Sequence, residues 1–182
     1  MTDAELERAL AAVSLPRPSY WDAQYLKNVE QLSKPQYRMV VERDVAVPMR
    51  DGVVLRADVF RPDAPGQFPG LLALSAYGKD SQSVPIPAQP IHSWVFDHNV
   101  EAGDIEFFVS RGYVYVIPDE RGLGKSGGVW NGPFSVQEQE DGHDIVEWIA
   151  AQGWCSGKVG MMGISWFGMI QRFIAAQAPP HL

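Results

Sequence analysis

The apolar and polar positions of this chain follow two different periods. Between Tyr37 and Pro62 the sequence "YRMVVERDVAVPMRDGVVLRADVFRP" has extended, β-rich runs on both sides of "RDG". In the second run the apolar residues Val53, Leu55 and Ala57 recur at every second position, on one side of the strand, which is typical of one buried strand face. The pattern predicts a β-hairpin. The next run, "FPGLLALSAYGKD", is apolar without alternation and too short for a helix, so it predicts a strand buried on both faces.

The rest of the chain alternates between helical and extended patterns. Two helices are predicted around a buried strand in "DIEFFVSRG", "YVYVIPDE" and "SVQEQEDGHDIVEWIAAQ", and a third short buried strand, "KVGMMGIS", precedes the helical "WFGMIQRFIAAQAPP". This alternation is typical of a parallel sheet covered by helices. We therefore predict an α/β domain over residues 36–182, with a mostly parallel sheet and an N-terminal hairpin. A helical and proline-rich arm over residues 1–35 precedes it.

Composition and charge narrow the class of partner. The chain has 182 residues, 46% hydrophobic and 20% charged, which suits one globular domain. A net charge of -7 without a basic cluster disfavours nucleic acid. No apolar run reaches the roughly 18–20 residues of a membrane span. One cysteine, Cys155, and an acidic N-terminus favour a cytoplasmic setting. We expect a small-molecule ester or peptide substrate and no membrane partner, and leave a homo-oligomer open.

A single serine stands where the last predicted strand meets the last predicted helix. Ser165 in "VGMMGISWFG" follows Gly163 by two positions and precedes Gly168 by three. A nucleophile elbow needs small residues there, because the strand and helix backbones pass closely. The common pattern G-x-S-x-G has its second glycine at the position that Phe167 occupies here. Ser165 is therefore either a nucleophile or a residue that caps the helix.

A nucleophilic serine requires donors for the oxyanion that forms on the substrate carbonyl. The amide of Trp166, at the helix start, is one candidate. The second donor in such folds comes from the loop after an earlier strand, here "SAYGKD", whose strong side-chain donor is the Tyr77 hydroxyl. An aromatic residue packed at the sheet edge is the alternative for Tyr77.

Several motifs together resemble one family of hydrolases. "VPMRDGVVLRADVFRP", "LSAYGKD", "DERGLGKSGG", "DGHDIVEWIAAQGW" and "GKVGMMGISWFG" occur in the order and spacing of the cocaine-esterase-like acyl esterases and Xaa-Pro dipeptidyl-peptidases. The resemblance covers residues 36–182 and implies an α/β-hydrolase fold. It also implies an elbow of the form G-x-S-x-x-G, with Ser165 as nucleophile and with the Tyr77 hydroxyl and the Trp166 amide as oxyanion donors.

The same resemblance implies an acid and a histidine base that come after the serine in the chain. Only His181 and no Asp or Glu follows Ser165, and we expect His181 to be a tail residue. The sequence thus predicts a fold that is truncated after the elbow helix. Two functions remain open: a serine hydrolase that cleaves an ester or amide through an acyl-enzyme, or an inactive fragment that acts as a binding or vestigial module.

The histidines and Asp144 are also candidates for a catalytic base or a metal ligand, but their positions indicate structural roles. His143 and Asp144 lie in a predicted surface helix, and His92 and His98 lie in a loop without further metal ligands. We expect neither a base nor a metal site there.

The segment "GLGKSGG" matches the G-x-G-x-x-G pattern, but further glycines and a proline come before any helix, which argues against a dinucleotide site. Walker A fails because Asp119 occupies the first glycine position. A nucleotide-binding domain is the weaker alternative, and we predict no cofactor.

Overall fold

The computed structural model of this chain describes residues 31–84 and 100–182. In these ranges one five-stranded sheet forms, with strand order β1-β2-β4-β3-β5. The strands are β1 (Met39–Pro48), β2 (Val54–Pro62), β3 (Phe68–Leu72), β4 (Val114–Pro118) and β5 (Cys155–Met161). The pairs β1–β2 and β2–β4 are antiparallel, and β4–β3 and β3–β5 are parallel.

Within the described ranges two α-helices connect strands and a third follows β5, as the alternating pattern predicts. They are α1 (Ile105–Val109), α2 (Val136–Ala150) and α3 (Trp166–Ala176). Asp104 and Ser135 cap the first two through side-chain bonds to backbone amides three residues later. No helix within the described ranges is both long enough and apolar enough to cross a membrane.

The predicted hairpin is confirmed. Strands β1 and β2 pair in antiparallel register, and the Met49 amide donates to the Val53 carbonyl (2.8 Å) across the turn. The register shifts between Glu42 and Val45, where Asp44 has φ +55°. This bulge bends β1 and directs Asp44 toward the loop after β3.

Helices cover both faces of the sheet. Leu55, Ala57 and Val59 of β2 point to one face, and Ile145 and Ile149 of α2 pack there together with α3. On the other face α1 packs through Ile105 and Val109. A sheet with both faces covered explains why β4 is buried along its whole length.

Strand β5 differs from the prediction of a fully buried strand. Only Cys155 and Val159 of its seven residues are buried. Among the described strands β5 pairs with β3 alone, so its second edge is covered less. It also begins at Cys155, three residues before the predicted run. Residues 1–30 of the predicted arm lie outside the described residues. His92 and His98, in the predicted loop after β3, also lie outside them.

Candidate active site

The candidate site lies where the parallel strands end. Loops that follow β3, β4 and β5 leave the same edge of the sheet, which is where ligands bind in open α/β sheets. Ser165 lies in the turn from β5 to α3 with φ 54° and ψ -121°, and it is exposed. A residue other than glycine rarely has such backbone angles, which cost about 1–3 kcal/mol. Ser165 occupies the N-cap position of α3, but its side chain makes no capping bond to the helix.

The two elbow glycines meet different constraints. Gly163 has φ +125°, and a Cβ atom there would lie 2.3 Å from Cβ of Phe167 and 3.1 Å from the Glu101 carbonyl oxygen. A Cβ atom on Gly168 would lie 3.4 Å from the Gly163 carbonyl oxygen. The structure therefore demands glycine at position 163, whereas position 168 is a close but ordinary contact.

The two residues predicted to supply oxyanion donors, Tyr77 and Trp166, meet at the first turn of α3. Trp166 is the first residue of α3, where backbone amides lack an intrahelical acceptor. The Tyr77 ring is 46% exposed and makes edge contacts with the rings of Trp166 (5.8 Å between centroids) and Phe167 (6.2 Å). The fold thus brings the loop after β3 against the first turn of α3, although these segments are about 90 residues apart.

Glu101 is a site residue that the sequence reasoning missed. Its carbonyl oxygen accepts from the Ile164 amide (3.2 Å), and its backbone amide donates to Oε1 of Gln82 (3.1 Å). Burial raises the pKa of its carboxyl group, which lies within hydrogen-bonding reach of the Ser165 side chain. No local pattern in "NVEAGD" indicates this position, because the contact spans 64 residues of chain.

The two described histidines bond to groups other than Ser165. His143 Nδ1 lies 3.2 Å from Nη2 of Arg50, and the Arg50 guanidinium also binds Asp144. His181 Nδ1 lies 2.7 Å from a Glu147 carboxylate oxygen. The structural roles predicted for these residues agree with these contacts.

The glycine-rich segment after β4 folds around one carboxylate. Asp119, buried at the end of β4, accepts from the Lys79 amide (2.9 Å) at one oxygen and from the Lys125 amide (2.9 Å) at the other. A Cβ atom on Gly124, which has φ +51°, would lie 2.3 Å from this carboxylate. This glycine therefore lets the loop close over Asp119.

A buried lysine lies next to this loop. We call Lys79, Asp44, Asp58 and Asp80 the lysine cluster. Lys79 Nζ lies 2.7 Å from Asp44, 3.0 Å from Asp80 and 3.2 Å from Asp58. Burial alone would lower the pKa of Lys79, but the three carboxylates outweigh it and raise that pKa. Hydrogen bonds from Lys125 and Lys79 lower the pKa of Asp44 to about 2.

Two buried glutamates face each other beside the elbow helix, and we call Glu120 and Glu138 the glutamate pair. The Trp130 indole donates to Oε2 of Glu120 (3.3 Å), and the Trp166 indole donates to Oε1 of Glu138 (2.9 Å). The remaining oxygens, Oε1 of Glu120 and Oε2 of Glu138, are buried and find no donor among the described residues, and the two carboxyl groups lie within hydrogen-bonding reach of each other. Burial, followed by the neighbouring Glu138 carboxyl, raises the pKa of Glu120 far above its usual value.

Comparison with known proteins agrees with this architecture. Residues 51–182 match the family model of the X-Pro dipeptidyl-peptidases (S15 family). The chain is 39% identical over 133 residues to the cocaine esterase of Rhodococcus sp. (strain MB1 Bresler), which covers 72% of this chain and 20% of that protein.

Solved structures give the same result. A CocE/NonD family hydrolase from Staphylococcus aureus matches with a TM-score of 0.67 at 32% identity, over 85% of this chain and 30% of that chain. An α-amino acid ester hydrolase matches with a TM-score of 0.62 at 26% identity, over 83% and 25% of the two chains. The chain thus spans at most about a third of the length of these relatives. With its elbow, its sheet order and a family match over residues 51–182, the chain belongs to the S15 family and has the α/β-hydrolase fold.

Proposed function

We propose that this protein is a serine hydrolase in which Ser165 attacks an ester or amide carbonyl and forms an acyl-enzyme that water then cleaves. The observation that carries the proposal is the strained backbone of an exposed serine at the turn from β5 to α3. Strain of this kind persists where the surrounding structure holds it, and it clusters at active sites. The cocaine esterase and the α-amino acid ester hydrolase among the relatives support an acyl-transfer reaction.

In this proposal the Trp166 amide and the Tyr77 hydroxyl donate to the oxyanion of the tetrahedral intermediate. Ring contacts with Trp166 and Phe167 keep the Tyr77 side chain next to the elbow. Preorganised donors act most strongly where charge develops on the substrate oxygen. His143 and His181 are bonded to other side chains, so we assign the general base to neither of them.

The experiment is active-site labelling of the protein expressed from its complete reading frame. A fluorophosphonate probe should label the protein, and peptide mapping should place the adduct on Ser165. Ser165→Ala should abolish labelling, whereas the matched variant Ser126→Ala should retain it, since Ser126 bonds to the Asp119 carbonyl within the loop after β4.

Labelling that survives Ser165→Ala would show that another residue is the nucleophile. Absence of any labelling in a folded protein would favour the binding or vestigial module.

A further inference from the structure

The glutamate pair lies against the residue that follows the proposed nucleophile. The Trp166 indole N–H donates a hydrogen bond (2.9 Å) to Glu138, 28 residues earlier in the chain. This bond holds the first residue of α3 against α2. Aromatic rings surround the same indole: Phe134 at 4.8 Å and Tyr77 at 5.8 Å between centroids. The position of Trp166 therefore depends on one buried carboxyl group and on its packing.

The charges around the pair do not neutralise it. Arg121, from the loop after β4, donates two bonds to Asp141 of α2 (2.8 and 2.6 Å) and two to Asp51 of the hairpin turn (2.7 and 3.2 Å). Two carboxylates thus already balance this one guanidinium, and Asp141 adds negative charge near the pair. On α3 the pair meets the uncharged Trp166, and on its other side the uncharged Trp130.

Two carboxylates in this setting would repel each other across a buried contact. A hydrogen bond between two carboxyl groups requires one proton between them, and the two oxygens that face each other have no other donor.

We propose that Glu120 and Glu138 share one proton, and that this proton keeps the Trp166 indole bound and the start of α3 in position. When the pair ionises, its proton passes to solvent and the two carboxylates repel each other. Glu138 then moves relative to Glu120 and weakens its hold on Trp166. Both glutamates are positioning residues, since neither is placed against the substrate.

The consequence for catalysis rests on the proposed function. If the Trp166 amide is an oxyanion donor, ionisation of the pair displaces that donor and lowers the rate of acylation at Ser165. The proton-holding pair itself does not depend on any activity, so it can be measured separately.

The first measurement follows the Trp166 indole resonance of the ¹⁵N-labelled chain by NMR between pH 4 and 10. The resonance is assigned from its loss in Trp166→Phe. We expect one transition in the alkaline range in the wild-type chain. In Glu120→Gln and in Glu138→Gln, which keeps an acceptor for the indole, the transition should disappear. The control Glu140→Gln, on the same helix, should retain it. A transition near pH 4–5 in the wild type, or an alkaline transition that survives both substitutions, overturns the proposal.

The second measurement does not require the assignment. The pKa of Glu120 is raised from 4.5 to about 9 in the fold, first by burial and then by Glu138. The folded state therefore binds the proton more tightly, and the stabilisation is complete below pH 4.5 and lost as the pH rises to about 9. Urea unfolding should show that the free energy of unfolding of the wild type falls with pH across this window relative to Glu120→Gln. A constant difference between the two proteins across the window contradicts the proposal.

Failure of the two proposals can be told apart. In an active protein Glu120→Gln should move the alkaline fall of kcat to higher pH and leave KM unchanged. If the indole transition is present but no probe labels Ser165, the proposed function fails and the glutamate pair stands. If Ser165 is labelled and the indole shows no alkaline transition, the pair fails and the hydrolase stands.

Discussion

The lysine cluster and the glutamate pair are two buried groups of acidic residues at the same edge of the sheet, and they are neutralised by different means. Three carboxylates surround the ammonium group of Lys79, and they raise its pKa despite burial, so the charge is permanent at physiological pH. Glu120 and Glu138 have only a proton between them. The stability that the lysine cluster contributes is therefore insensitive to alkaline pH, whereas the glutamate pair loses its shared proton when the pH rises.

The two groups also support different parts of the candidate site. Lys79 follows Tyr77 by two residues, and its amide and ammonium fix that loop on Asp119 and the lysine cluster. Glu138 holds Trp166 on the opposite side of the elbow. Each candidate oxyanion donor thus has its own electrostatic support, and the two supports can be removed independently.

The largest expected effect comes from removing the permanent charge. Lys79→Met leaves the Asp58 carboxylate, 1% exposed, with Arg43 as its remaining cation. Loss of one partner of a buried ion pair costs about 3–5 kcal/mol, because a charge stays buried without full compensation. We expect a decrease of about 3 kcal/mol in the free energy of unfolding, measured by urea denaturation.

Lys125→Met is the matched control for this substitution. Lys125 contacts the same Asp44 at 2.7 Å, but its side chain is 54% exposed. Exposed ion pairs contribute about 0–1 kcal/mol, so this variant should lose less than about 1 kcal/mol. Equal losses in the two variants would show that the burial of Lys79 has no energetic consequence.

The next effect is on turnover at the residue between the two groups. Tyr77→Phe removes the hydroxyl and keeps the ring that packs on Trp166 and Phe167. Loss of one oxyanion donor lowers kcat by about 10²–10³, or roughly 2.7–4 kcal/mol. Steady-state kinetics of the active protein should show this decrease with little change in unfolding temperature. Tyr113→Phe, at an exposed tyrosine that packs on Phe108 of α1, is the control and should keep normal kcat. Near-normal kcat in Tyr77→Phe would assign the tyrosine a packing role.

The smallest effect concerns the acid limb of the lysine cluster. Hydrogen bonds from Lys125 and Lys79 lower the pKa of Asp44 from 3.8 to about 2. Its stabilising contribution is present above pH 3.8 and is lost as the pH falls toward 2. In Asp44→Asn the free energy of unfolding should depend less on pH in that window, whereas Asp63→Asn, at an exposed position just after β2, should leave the wild-type slope. An unchanged slope in Asp44→Asn would place the acid transition elsewhere.

Local patterns predicted most of the fold because each element is encoded over a few neighbouring residues. Alternation at Val53, Leu55 and Ala57 is a property of one strand face, and the apolar run of β4 reports burial on both faces. The prediction overestimated the burial of β5. A run of Gly, Met and Val has the same pattern in a central strand and in an edge strand, so the sequence does not distinguish the two.

The candidate site could be predicted where its residues lie in short motifs. Gly163, Ser165 and Trp166 lie in the elbow motif, and Tyr77 lies in "SAYGKD". The contacts of Glu101 with the elbow and of Glu138 with Trp166 join residues 64 and 28 positions apart. They depend on where the chain returns after folding, and neither glutamate lies in a motif that indicates it. Likewise, "GLGKSGG" fits either a nucleotide site or a structural loop by sequence alone. The structure shows that this segment folds around the Asp119 carboxylate.

The bonds of Asp119 also divide the rim of the site into fixed and exchangeable parts. The Asp119 carboxylate binds the backbone amides of both Lys79 and Lys125. The spacing between the loop after β3 and the loop after β4 is therefore set by this buried carboxylate and not by the exposed residues of the loops. Positions 129, 131 and 132 lie beyond Lys125 in a segment that is exposed for the most part, so their side chains can change without moving Tyr77, whereas Trp130 is kept because it donates to Glu120. This makes that segment the natural place for grafting or library design aimed at altered substrate preference, with the elbow left intact.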